Sequence, residues 1–194
     1  MTEDMSSPVC HVVAGPNGAG KSTFALRYLP EFAGSIEYVN PDLMAQGLSP
    51  TDMSLAALKA GKLTLTRIGE LIAAKESFGF ETTLSGRGHL KLLADAKAVG
   101  YRIHIYYLWM PTVVMLPSRI RHRVLAGGHD VPTEDVLRRF ARSVENVKDY
   151  AATADMIRVF DASETRPSMV FSRNGGEVDL SPDKTVVMRK ELGL

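Results

Sequence analysis

The residues Gly15-Pro16-Asn17-Gly18-Ala19-Gly20-Lys21-Ser22 decide how the rest of the chain is read. They fit the pattern Gly-x-x-x-x-Gly-Lys-Ser/Thr and run on into Thr23. Just before them, residues 8–14 form a short apolar run with Val9, Val12 and Val13 that stops at Gly15 as a buried strand stops. Just after them, residues 22–28 have helical spacing. A glycine loop held between a strand and a helix suits one kind of ligand. Its backbone N–H groups close around phosphate oxygens, the helix N-terminus adds positive potential, Lys21 reaches the β and γ phosphates, and the Ser22 hydroxyl can ligate Mg2+. The nine residues from Gly15 to Thr23 are the candidate nucleotide-binding loop, with Lys21 as its catalytic cation and Ser22 as its metal ligand.

Working outward, further short apolar runs lie at 36–39, 78–80, 103–109 and 157–160, separated by longer stretches with helical spacing. Strands alternating with helices of this length predict an α/β fold, a parallel sheet covered on both faces and joined by right-handed crossovers. In one helix Leu58, Gly61, Leu65, Ile68 and Ile72 recur at steps of three and four, behind an N-cap, a first-turn proline and an acidic third position in Ser49-Pro50-Thr51-Asp52. In a later one Leu137, Phe140, Val144, Val147 and Ala151 repeat the spacing behind Pro132, Glu134 and Asp135. Residues 168–180 differ, because two short apolar stretches flank Asn174-Gly175-Gly176 and predict an appended β-hairpin.

Composition narrows the classes. The 194 residues, 45% of them apolar, suit a single domain covering 1–194, and 23 Lys plus Arg against 22 Asp plus Glu leave a net charge of +1. That balance argues against broad nucleic-acid or anionic-membrane binding, so any anion must be bound locally. The one cysteine, Cys10, cannot close an intramolecular disulfide, and no Cys/His spacing matches a zinc site, which fits a reducing, cytoplasmic setting. The opening MTEDMSSP lacks the apolar stretch of a secretory signal. The longest apolar run, residues 105–116, contains Pro111 and falls well short of the roughly 20 residues that span a bilayer.

An open parallel sheet binds its ligand at the carboxyl ends of its strands. Polar clusters stand where those ends are expected: Asn40-Pro41-Asp42, Glu81-Thr82-Thr83 and Asp161-Ala162-Ser163. Thr83, Ser85 and Arg87 fall in the loop after the third strand and are candidates to touch a substrate. Between Arg119 and Arg142 stand six arginines (119, 121, 123, 138, 139, 142) against Asp130, Glu134 and Asp135, a local excess of three positive charges. This segment, about 117–142, reads as a helical lid with a hinge at Gly127-Gly128. Arg138 and Arg142 share a face at i,i+4 while Arg139 is turned away from them, so at most one of those two groups should face the phosphates. Each feature also has a plainer reading. Asp42 can serve only to cap a turn, Glu81 can sit in an edge salt bridge, the arginines can be solvated, and His129 can pack on its neighbours. Cys10 and Trp109 belong to the core.

Together GPNGAGKST, VNPDL at 39–43, FETTLSGRG at 80–88, GGHDVP at 127–132 and RRF at 138–140 resemble the zeta-toxin-like group of P-loop kinases, from about residue 9 to about residue 163. The resemblance implies a P-loop three-layer sandwich with a helical lid. It also implies ATP and Mg2+ as cofactors, phosphoryl transfer to a hydroxyl of UDP-N-acetylglucosamine, and an antitoxin protein as partner. It makes Asp42 the base toward the acceptor hydroxyl, Glu81 an acidic residue that holds substrate or metal, and Arg123 and Arg139 the lid cations. From the residues alone, three functions stay open: this kinase, a kinase of another nucleotide, sugar or polynucleotide end, and a nucleotide-sensing ATPase with a protein partner.

Overall fold

In the computed structural model, which describes residues 7–48, 53–125 and 131–194, strands and helices alternate from the start. The elements are β1 (Val9–Ala14), α1 (Lys21–Arg27), α2 (Leu29–Ala33), β2 (Glu37–Val39), α3 (Pro41–Leu48), α4 (Met53–Ala74), β3 (Phe78–Thr82), α5 (Gly88–Ala98) and β4 (Arg102–Trp109). They continue with α6 (Leu116–Leu125), α7 (Thr133–Thr153), β5 (Met156–Asp161), β6 (Ser168–Arg173), β7 (Glu177–Asp179) and α8 (Pro182–Leu192). One seven-stranded sheet has the order β2-β3-β1-β4-β5-β6-β7; β2 to β5 and β1 are mutually parallel, and β6 and β7 are antiparallel.

β1 is central because both its faces are apolar, the pattern of a parallel strand covered on two sides. Cys10 and Val12 face a layer with Ile68 and Leu71 of α4, Leu93 and Ala96 of α5, and Met188 and Leu192 of α8. Val13 faces the opposite layer, with Phe24 of α1, Leu29 of α2 and Leu116 and Ile120 of α6. Helix α7 gives Val136 to the second layer and Val147, Tyr150 and Ala151 to the first, so it crosses from one side of the sheet to the other. Aromatic rings fill the second layer, Phe24 against Phe160 at 4.9 Å and Phe32 against Tyr106 at 5.6 Å between centroids.

The α/β sandwich expected from the sequence is the one observed, with differences that have physical reasons. β3 and β5 run on through Thr82 and Asp161, so Glu81 is a strand residue rather than a loop residue. The hairpin at 168–180 is a true pair but not an appendage, since β6 bonds to β5 and lengthens the sheet. Helix α4 is turned from the expected stripe: Ala56, Ala60, Thr64, Ile68 and Leu71 are buried while Leu65 is exposed, because small residues let α3 come close. In α7, likewise, Leu137 is exposed and Val136 buried. The cap at 49–52, the hinge at Gly127-Gly128 and His129 lie outside the described residues. Cys10 and Trp109 are in the core, and among the described residues no helix is long and apolar enough to cross a membrane.

Helix α8 is tied to the sheet at Asp161. The buried Asp161 carboxylate takes a 2.6 Å bond from the Lys184 ammonium and a 2.9 Å bond from the Ser163 N–H. Burial alone would raise this carboxyl, but the Lys184 and Ser163 bonds outweigh it and hold Asp161 below the ordinary carboxylate value. A depressed carboxyl contributes stability above its unfolded value and loses it as the pH falls through the folded one. In Lys184→Met the main opposing bond is gone and burial drives the carboxyl up, so the variant lacks that contribution at neutral pH. Urea unfolding of both proteins between pH 6 and pH 3 is therefore expected to show the variant weaker at pH 6, with the gap in midpoint closing toward pH 3. A gap that stays constant refutes the pairing.

Candidate active site

The phosphate loop is shaped by what it must avoid. At Gly15 (φ +144°) a Cβ would sit 2.7 Å from the Leu108 carbonyl oxygen, so only glycine lets the chain leave β1 so close to β4. The loop then closes on Pro16, whose carbonyl accepts from the Ala19 N–H at 3.2 Å and the Lys21 ammonium at 3.1 Å. Gly20, in the left-handed region, starts α1, and no acidic residue stands in that first turn to compete for its N–H groups. Lys21 is only 9% exposed. Burial pulls its ammonium below the ordinary value; Arg123 and Arg139 add to that pull, and Glu81 and Asp42 oppose it. A desolvated cation of this kind gains from any anion that enters.

Facing the loop is the end of β2. Asn40 is buried, and its side-chain oxygen accepts from the N–H groups of Asp42 (2.9 Å) and Leu43 (3.1 Å), so Asn40 is the cap of α3 and Pro41 its first residue. Its amide also donates to Ser22 Oγ at 3.4 Å. The plain capping role therefore belongs to Asn40, and the Asp42 carboxylate is left exposed on the cavity wall. Glu81, next to Val13 in the sheet, is buried; it accepts from Ser22 Oγ at 3.0 Å and from the Tyr38 hydroxyl at 3.3 Å. Tyr38 reaches it by lying over Gly79, where a Cβ would come within 2.8 Å of the ring. Ser22 and Glu81 are hard oxygen donors beside the helix end that attracts phosphate, a set that fits Mg2+ with phosphate and water completing its shell.

Lys21, Ser22, Asp42 and Glu81 share one cavity of about 450 Å3. On the side of α6 and α7 stand Arg119 and Arg123 of α6 and Arg139 of α7; Asp135 pairs with Arg138 at 2.7 Å and more loosely, at 3.8 Å, with Arg139, while Arg142 is exposed. So Arg139, not the 138/142 pair, is the one turned inward. Arg119 also donates to the Ala162 carbonyl at 2.7 Å and to that of Ser163, and it lines a second cavity of about 320 Å3 with Phe24, Tyr28 and Pro167. Gly18, Gly20 and Thr23 line both cavities, Asn17 the first and Ala19 the second.

Thr83 lines the main cavity, but Ser85 and Arg87 are not among its walls. The Ser85 hydroxyl bonds to Thr83 Oγ1 at 2.8 Å, and Arg87 turns outward to Asp149 and Asn146. Those partners are half-buried residues of α7, which the loop reading of Arg87 could not anticipate. Thr64, Thr82, His89 and Arg119 also line the cavity, and sequence reasoning did not single them out as ligands. Of these, Thr82 and Arg119 stood inside segments already marked, whereas nothing in local spacing signals Thr64 or His89. His89 sits against Phe80 with its Nδ1 3.4 Å from Thr82 Oγ1, and burial lowers its pKa, favouring a neutral ring.

The family model described as Zeta toxin matches residues 1–174. The chain belongs to the Zeta toxin family. An uncharacterized protein of Haemophilus influenzae is 32% identical over 124 residues, which is 64% of this chain and 86% of that protein. Two solved structures share the fold of this Zeta toxin family member. One comes from the PezAT chromosomal toxin-antitoxin system of Streptococcus pneumoniae (TM-score 0.69, 17% identity, 97% of this chain and 79% of that one). The other is AvrRxo1-ORF1 with AvrRxo1-ORF2 and ATP (TM-score 0.75, 19% identity, 97% of this chain). The chain spans 64% of that second structure's length.

The Asn40 assignment has a simple check. Asn40→Ala removes both capping bonds and should cost about 1 kcal/mol, or roughly 2–4 °C in thermal midpoint for a chain of this size. Asn40→Asp keeps the capping oxygen and should melt close to the parent in a calorimetric scan; an Asp variant as weak as the Ala variant would remove the cap from the account.

Proposed function

We propose that this Zeta toxin family member is an ATP-dependent kinase that moves the γ-phosphoryl group to a hydroxyl of a small acceptor. One observation carries the reading: the Asp42 carboxylate, relieved of capping by Asn40, lines the same cavity as Lys21, Ser22 and the lid arginines. Phosphoryl transfer asks a protein mainly for positioning and charge stabilisation. The residues from Gly15 to Thr23 would cradle the triphosphate, and the aromatic second cavity beside the loop suits the nucleoside. Arg119, Arg123 and Arg139 would spread over the charge that builds on the transferring group. Asp42 orients the acceptor hydroxyl and takes its proton as the new O–P bond forms and the bond to the β-phosphate oxygen breaks, releasing ADP. Ser22 and Glu81 would hold Mg2+, which when bound neutralises charge on the β and γ oxygens.

The acceptor that the family resemblance implies is UDP-N-acetylglucosamine, with Thr83 and His89 on the wall it would meet. The two structural neighbours come from two-protein systems, and an antitoxin-like partner is part of the same proposal.

The test is transfer of label from γ-labelled ATP with Mg2+ to a pool of hydroxyl acceptors that includes UDP-N-acetylglucosamine. Asp42→Asn is expected to lower transfer by about 100-fold or more while its affinity for ATP stays within about twofold. Hydrolysis at equal rates in both proteins, with no labelled acceptor, would refute the kinase in favour of a nucleotide switch. Lys21→Ala should abolish transfer without changing the circular dichroism spectrum, since its ammonium contacts the loop rather than the apolar core.

A further inference from the structure

Positions 139, 143, 146 and 150 of α7 follow one another at steps of four, three and four, so they form one stripe about 16 Å long. Arg139 ends this stripe in the main cavity. Ser143, fully buried, bonds to the Tyr107 hydroxyl at 3.1 Å. The Asn146 amide donates to the Leu84 carbonyl at 2.8 Å, and the Tyr150 hydroxyl donates to the Gly86 carbonyl at 2.7 Å. The His89 backbone N–H is directed at that same Tyr150 oxygen. The lid arginine and the loop between β3 and α5 thus hang on one face of one helix.

The loop is not a conformation that the chain adopts unaided. Leu84 has φ +53°, in the left-handed region that a branched side chain avoids, and it is completely buried. Locally, Thr82 Oγ1 accepts the Leu84 N–H at 3.2 Å; from outside, Asn146 and Tyr150 hold the carbonyls on either side of Ser85. Thr83 begins the loop and His89, in the first turn of α5, stands just past its end; both line the cavity.

We propose that this stripe makes the phosphate clamp and the acceptor loop one mechanical body, with Asn146 and Tyr150 as positioning residues that carry nucleotide binding to residues 83–87. The inference rests on the phosphotransferase reading. A triphosphate that draws in Arg139 shifts or stiffens α7, and the two hydrogen bonds, with the bonds of Arg87 to Asp149 and Asn146 beside them, pass that change to the loop. Ordering that is complete before the acceptor arrives lowers what the acceptor must spend on binding, which is positive coupling between two ligands.

Amide hydrogen exchange of the full chain, with and without AMP-PNP and Mg2+, tests this with no acceptor needed. In the parent protein the analogue should slow exchange across residues 83–87 about 5- to 50-fold, the range of ordinary coupling. In the triple variant Arg87→Ala, Asn146→Leu, Tyr150→Phe, which keeps the bulk at 146 and 150 but removes the bonds between loop and helix, the same amides should exchange faster and ignore the analogue. Calorimetry should find its Kd within about twofold of the parent. Tyr150→Phe alone, with its ring still packed, should weaken the response and serves if the triple variant does not fold. A merely structural role would raise exchange with and without the analogue by the same factor and leave the response intact, which overturns the proposal, as does a parent loop that never responds. AMP-PNP that fails to bind overturns the phosphotransferase reading along with this one.

Discussion

The site is organised around a buried ammonium that its own loop only half satisfies. Lys21 spends a single bond on the Pro16 carbonyl, and burial works against its charge. Everything near it answers that imbalance. Glu81 and Asp42 favour the charge but do not ion-pair with it; Glu81 is occupied by Ser22 and Tyr38, and Asp42 stands across the cavity. Arg123 and Arg139 act in the opposite direction. Without an anion, Lys21 and the arginines of α6 and α7 repel one another; an anion placed among them adds an attraction to each that offsets the repulsion. A pocket assembled in this way favours a polyanion over any neutral ligand.

Much of this was legible in the chain because local chemistry fixes it. The glycine loop needs Gly15 where β1 leaves the sheet, and the strands announce themselves as short apolar runs that end at polar residues. Asp42 stood out for its place at a strand end, and Asn40 beside it carries the helix-start chemistry of an Asn-Pro pair. What stayed hidden depends on packing between distant elements. Arg87 belongs by sequence to the acceptor loop, but Asp149, 62 residues away, draws it outward. The buried face of α4 is built on alanines, which carry little periodic signal, so the larger Leu65 misled the phase of the stripe. His89 enters the cavity because α5 starts there, a matter of where a helix begins and not of what surrounds the histidine in sequence.

Helix α7 shows why apolar periodicity is an incomplete guide. The eye follows Leu137, Phe140, Val144, Val147 and Ala151, yet the residues that connect the lid to the sheet lie one position away, at 139, 143, 146 and 150. They are polar or amphipathic: Arg139 lines the cavity, Ser143 bonds to β4, and Asn146 and Tyr150 both bond to the loop after β3. A helix buried only by apolar contact can slide or rotate at modest cost, whereas directional bonds to two backbone carbonyls fix its register against the loop.

The end of the chain makes the same argument about cover. Adding β6 and β7 to an otherwise parallel sheet leaves new surface beyond β5 to be buried, and the residues after 174, outside the family match, supply it. Met188 and Leu192 of α8 fill the layer over β5 and β6, Thr185 satisfies the Val170 carbonyl at 3.0 Å, and Glu191 takes the Trp109 indole N–H at 3.0 Å. Lys184 then reaches Asp161 at the strand end from which the wall of the second cavity departs, while Arg119 holds the next two carbonyls from the lid. The turn beside the nucleotide loop is therefore gripped from both sides, by α6 and by α8. The C-terminal helix thus braces the wall of the second cavity through the same contacts that complete the sandwich.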